Sequence, residues 1–234
     1  MVVEVTGPPQ TPAGIPRVLR EGGWLAWTNL PTLVGLNVLW IAGAVTVVLL
    51  GPMTVTVFGH LAALRDDRHP TWRTLGTRLR AVLWTGTLWS VSVGVFAYLA
   101  WANLTFWPRV LGHQGAAQLG VYAVWLLWAY LTWLFIALQP FLLDALAVRG
   151  LTFGRALRAA AVVVIRRPVA AHAFVVIPLA LYLVGRSFRT PGVLVLISLL
   201  LTLAAVQVRP VTVRPPPDEE SGAEDESVRG KAAR

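Results

Sequence analysis

The chain has 234 residues, of which 56% are apolar and only 13% charged, with a net charge of +9 and no cysteine. A soluble domain carries roughly a quarter charged residues, so this composition excludes an ordinary water-soluble surface. The missing cysteine excludes disulfides, thiolate metal sites and cysteine nucleophiles.

Residues 1–22 read as a flexible N-terminal segment. Gly7-Pro8-Pro9 and Pro12 break any periodic pattern, and no apolar core of a cleavable signal peptide is visible. From about 15 to 28 the pattern fits a short interfacial helix. It carries Arg17, Arg20 and Glu21, with Trp24 and Trp27 beside the first apolar run; tryptophan favours the membrane–water boundary.

No charged residue occurs from 22 to 64, 81 to 108, 110 to 143, 169 to 185 or 190 to 208. A helix needs about 20 apolar residues to cross the hydrocarbon core. These runs therefore predict spans at about 30–50, 82–101, 117–138, 169–185 and 193–208. Gly51-Pro52 ends the first, and Pro52 starts a separate short helix through Leu64, lying in protein or at the interface. Gln139-Pro140 ends the third in the same way.

Two amphipathic helices separate the spans. Thr71 is a candidate N-cap for the first, where Trp72, Leu75, Leu79 and Leu83 share one face and Arg73, Thr77 and Arg80 the other. This helix turns into the bilayer at about residue 82. Thr152 is the candidate cap for the second. There Phe153, Ala156, Leu157, Ala160, Ala161 and Val164 oppose Arg155, Arg158 and Arg166, and Pro168 leads into the next span. Both patterns suit a helix lying on an anionic membrane surface. The tail, 209–234, is Pro-rich and then acidic, with Asp218-Glu219-Glu220 and Glu224-Asp225-Glu226, and reads as disordered. The halves thus repeat one plan, Pro52 corresponding to Pro140 and Thr71-Trp72 to Thr152-Phe153.

The expected fold class is therefore all-α: a polytopic transmembrane helical bundle over 23–208, with about five spans and two cytoplasmic amphipathic interfacial helices. Most of the 20 basic residues fall in the first and third connections and the tail. The positive-inside rule then puts the N-terminus outside and the C-terminus in the cytoplasm. The basic balance brings no nucleic-acid motif with it, so the expected partner is the lipid bilayer and not nucleic acid.

The stretch Asn37-Val38-Leu39-Trp40, then Gly51-Pro52-Met53-Thr54, Leu64-Arg65 and Thr71-Trp72, resembles the YesL-like family of bacterial integral membrane proteins. Gln139-Pro140-Phe141-Leu142-Leu143, Leu157-Arg158-Ala159-Ala160 and Pro168 extend the resemblance, which covers about 23–208. The departures are Met53 where alanine is usual, Val38 where leucine is usual, and the acidic tail. The resemblance implies an accessory or regulatory partner of carbohydrate uptake systems of the ATP-binding-cassette type, with transporter subunits as partners. It defines no catalytic residue and no cofactor.

The residues themselves offer little chemistry. Asp144 is the single acid between Asp67 and Asp218. It has two readings: a structural ion pair with a nearby arginine, or a binding or coupling role. His60, His69, His113 and His172 lack metal-ligand spacing; His60 and His172 have two readings, a meeting within the bundle or, preferred, single hydrogen-bonded polar side chains. Ser90, Ser92 and Ser198 lie within spans, where small hydroxyl residues permit close helix packing. The aromatic third span (Tyr122, Trp125, Trp128, Tyr130, Trp133) fits packing and interfacial anchoring, or a sugar path. No paired carboxylates and no phosphate-cradling glycine loop are legible. The chain reads as non-enzymatic, with a small-solute permease as the alternative.

Overall fold

The computed structural model describes residues 14–68, 70–110, 117–187 and 193–208. Among them every regular element is helical: α1 (Ile15–Thr28), α2 (Leu30–Val45), α3 (Leu50–Arg65), α4 (Trp72–Val110), α5 (Ala117–Ala147), α6 (Phe153–Arg166), α7 (Pro168–Ser187) and α8 (Val193–Val208). The expectations for 1–13, His69, His113 and the tail lie outside the described residues.

The corners follow from local chemistry. Asn29 closes α1, its Nδ2 donating to the Leu25 carbonyl at 3.0 Å, and Pro31 opens α2. The two helices meet at 88°. At the end of α2 the Thr46 hydroxyl donates to the Gly43 carbonyl at 2.6 Å, offering the backbone an alternative to further helix. The reversal is completed by Val47 at φ 57°. Arg167 leaves helical geometry ahead of Pro168, as a residue before proline tends to do, and α6 meets α7 at 105°.

α3 is the hub. It packs against α2, α4, α5 and α8, and Gly51–Arg65 are all buried. A helix that is apolar all round belongs inside a protein or a bilayer. At 16 residues it measures about 24 Å, short of the hydrocarbon thickness of about 30 Å. Pro52 sits in its first turn, where the missing N–H has no intrahelical partner to lose.

Two helices are long and apolar enough to cross a membrane, within Trp72–Trp107 and Leu119–Ala147. Counting each bent pair as one broken span, α1 with α2 and α6 with α7, raises this to four. Only 6% of either long apolar window is buried in the protein. Side chains such as Trp84, Val95, Leu126 and Leu127 point outward, as lipid-facing groups do.

Four expectations about boundaries need correction. Pro140 does not end a helix; α5 runs through it to Ala147. The usual cost is a lost hydrogen bond and a ring clash worth about 3 kcal/mol. Here Phe141–Leu146 are all buried beyond the proline, and that packing carries the helix past it. The first amphipathic helix does not turn into the bilayer near residue 82. It continues without a break as α4, 39 residues long, because nothing from Trp72 to Val82 breaks a helix. Thr152 has the extended backbone of an N-cap and its carbonyl accepts from the Ala156 N–H at 2.9 Å, but its hydroxyl makes no capping bond. The two halves also break at different places: before α3 but not at Pro140, and at Pro168 but not near residue 82.

Candidate functional site

Part of the family resemblance, Trp40, Gly51, Pro52 and Thr54, lies around the start of α3. Trp40 Nε1 on α2 donates to Thr54 Oγ1 at 2.9 Å, and that hydroxyl donates onward to the Leu50 carbonyl at 2.7 Å. Both groups are thereby satisfied in an apolar surrounding, where an orphan would be costly. Asn37, 1% exposed, donates from Nδ2 to the Leu33 carbonyl at 3.1 Å. Its Oδ1 accepts the Ser198 N–H at 3.1 Å and so ties α2 to α8. Gly51 and Pro52 press on Gly86 of α4. A Cβ on Gly51 would lie 2.0 Å from the Gly86 carbonyl oxygen, and one on Gly86 would lie 2.5 Å from Pro52 Cα. Both glycines let two backbones touch.

Trp72, at the head of α4, lies over Gly35 and stacks on His60 with ring centroids 6.0 Å apart. Leu75 behind it is buried. The aromatic that leads α4 thus touches α2 and α3 with one part of its ring system while remaining 56% exposed. Thr71 stands before it, its carbonyl accepting the Thr74 N–H at 3.0 Å. His60 and His172 do not meet: His172 stacks on Tyr130 instead.

A second polar cluster lies at the far end of α3. Arg65 is 1% exposed. Its Nη1 donates to the Ala205 carbonyl at 2.6 Å and its Nε to Asp66 Oδ1 at 2.8 Å. Ala205 lies in the last turn of α8, where carbonyls lack intrahelical donors and the helix dipole favours a cation. Arg68 Nη2 holds the other Asp66 oxygen at 2.9 Å. Burial pushes the Asp66 carboxyl up, but the hydrogen bonds and charges of Arg65 and Arg68 outweigh it and hold the group below the ordinary 3.8.

Asp144 is fully buried, and its Oδ2 accepts Arg149 Nε at 3.0 Å. The Asp144 carbonyl accepts the N–H groups of Val148 and Arg149, and Gly150 at φ 61° reverses the chain. The ion pair thus fastens the end of α5 to the turn that starts α6.

Beside this turn lies a cavity of about 340 Å³ between α3, α4 and the α5–α6 connection. Thr56, Thr85 and Arg78 are its polar lining. Arg78 turns inward, Nη1 donating to the Gly59 carbonyl at 2.9 Å. Trp89 Nε1 donates to Gln139 Oε1 at 3.0 Å and joins α4 to α5. By contrast Arg73 and Arg80 on α4 and Arg155, Arg158 and Arg166 on α6 are exposed. Among the described residues no group of three His, Asp or Glu is placed to hold a metal ion.

Sequence reasoning does not reach the roles of four of these residues. Gly86 had a signal, a small-residue triplet (Thr85-Gly86-Thr87) in an apolar run that also holds Ser90. Arg65 is legible as part of the Leu64-Arg65 pair but not as a buried cation, Arg78 reads only as one more basic residue of the first connection, and Trp89 reads as one apolar residue among many. No family model matches the chain, and neither a curated protein nor a solved structure matches it.

Proposed function

We propose that the protein is a non-enzymatic bacterial membrane protein that assists or regulates a carbohydrate uptake transporter of the ATP-binding-cassette type. The observation that supports this reading is that Asn37, Trp40, Gly51, Pro52 and Thr54, part of the YesL-like resemblance, each make an interhelical contact of α2 or α3. In this reading the motif maintains an architecture, and the working surfaces are the basic faces of α4 and α6. The proposed topology has crossings by α4, α5, α7 and α8, with the C-terminus in the cytoplasm. The expected out-to-in crossing by α2 and the outside N-terminus do not fit, because the chain turns back after Val47, Trp72 at the head of α4 reaches Gly35 near the start of α2, and Arg65 at the end of α3 bonds Ala205 at the end of α8. Arg73, Arg80, Arg155, Arg158 and Arg166 then face the cytoplasm, in keeping with the positive-inside rule. Purification in mild detergent is expected to bring down transporter subunits, and deletion to reduce sugar uptake. Elution alone, with uptake unchanged by deletion, would overturn the reading.

A second reading is a small-solute permease. The cavity of about 340 Å³ with Arg78, Thr56 and Thr85 favours it. Solute flux in proteoliposomes holding only this protein would decide for it.

A further inference from the structure

We propose that the acidic segment of the C-terminal tail, Asp218 to Glu226, docks on the arginine face of α6 and covers it. Three observations lead there. The first is charge left over after pairing. Each of the four acids among the described residues, Glu21, Asp66, Asp67 and Asp144, is already engaged. α6 contains no acid at all, and Arg155, Arg158 and Arg166 form no ion pair among the described residues. The tail holds Asp218, Glu219, Glu220, Glu224, Asp225 and Glu226, six of the chain's 11 acids.

The second is where the three arginines sit. Ala156, Ala160 and Val164 are buried on the side of α6 that packs on α5. Arg155, Arg158 and Arg166 project from the opposite side, with Val162 between them, 41% exposed. They span 11 positions, about 17 Å of helix. The face is a strip, suited to an extended chain more than to a point ligand.

The third is where the tail departs. Gln207, the penultimate residue of α8, donates from Nε2 to the Ala170 carbonyl at 2.9 Å. Ala170 lies on α7 just past the α6–α7 corner, four residues beyond Arg166. The end of α8 is thus held beside the C-terminal end of α6. From Val208 to Asp218 the chain reaches at most about 36 Å, while α6 is about 21 Å long. The acids therefore reach every arginine of the strip. Each exposed pair is weak and salt-sensitive alone, but the tether gives the tail an effective concentration of about millimolar. A docked tail would compete with anionic lipid headgroups for the same arginines.

The absence of cysteine makes the test clean. The full-length double variant Val162→Cys with Ser221→Cys, in bilayers of phosphatidylethanolamine and phosphatidylglycerol, is treated with a short bis-maleimide. The control pairs Ser221→Cys with Thr71→Cys, exposed at the cytoplasmic head of α4. At low salt the α6 pair is expected to cross-link about fivefold more than the control, and to fall towards it at high salt. Arg155, Arg158 and Arg166→Gln should remove the excess. Replacing the three arginines by Glu together with Asp218, Glu219 and Glu220→Lys should restore it. Cross-linking equal to the control, or indifferent to salt and to the arginines, would overturn the proposal. So would an excess seen only when phosphatidylglycerol is left out, because the headgroups would then hold the face.

Discussion

Gly51 and Gly86 meet backbone to backbone, with the Gly86 carbonyl oxygen 2.0 Å from where a Gly51 Cβ would sit. Gly51→Ala or Gly86→Ala must therefore push α3 and α4 apart, since the opposing atoms are backbone and cannot rotate away. Overpacking of this kind costs about 1–3 kcal/mol. The thermal midpoint in detergent should fall for both variants. Gly94→Ala is the control: it adds a methyl in open space on the same helix and gains helix propensity, worth up to about 1 kcal/mol. An equal response from Gly94 and Gly86 would contradict the close crossing.

The Trp40–Thr54 hydrogen bond predicts a coupled pair. Thr54→Val leaves the indole N–H without its acceptor, and should destabilise by about 1–3 kcal/mol. Trp40→Phe removes the donor as well. In a double-mutant cycle the two changes should be less than additive, with a coupling of at least about 0.5 kcal/mol. Additive effects would show that the bond contributes nothing.

This joint also marks how far the sequence could be read. Helix content, the apolar runs and several starting points followed from composition and periodicity, α1 at Ile15–Thr28 among them. The breaks did not, because local signals compete with burial. Pro140 is a strong stop signal, yet the burial of Phe141–Leu146 carries the helix past it. Asn37, Trp40 and Thr54 were legible as a motif, but not their contacts. Those depend on how three helices cross, and neither Ser198 nor Gly86 is near the motif in the chain.

Arg65 and Asp66 make stability depend on acid. The Asp66 carboxyl is held below its ordinary value in the fold. The folded state therefore favours the charged form, and this contribution is present above the unfolded pKa of about 4 and lost as pH falls through the lower folded value. Stability measured from pH 6 downwards should decline more steeply for the wild type than for Asp66→Asn. Identical slopes would show that the carboxylate is not coupled to folding. Arg65→Met should be far worse than either, since it removes the donor to Ala205 and leaves Asp66 one cation short.

Val47 carries the strain of the α2–α3 reversal. It is a β-branched residue at φ 57°, a left-handed conformation that costs L-residues about 1–2 kcal/mol. Its side chain is largely exposed, so little packing would be lost by shortening it. Val47→Gly should stabilise by about 1 kcal/mol, measured as a rise in thermal midpoint. A loss of stability would mean that the valine makes contacts, with lipid for example, that outweigh its backbone cost.

Crossing of the membrane by α4 is the central claim, and single cysteines at its two ends test it most directly. Thr71 precedes the helix and Phe106 lies near its far end; both are exposed. With no native cysteine to interfere, an impermeant maleimide should label Phe106→Cys in intact cells and Thr71→Cys only after permeabilisation. Labelling of both from the same side would contradict a crossing, and the reverse pattern would contradict the proposed orientation.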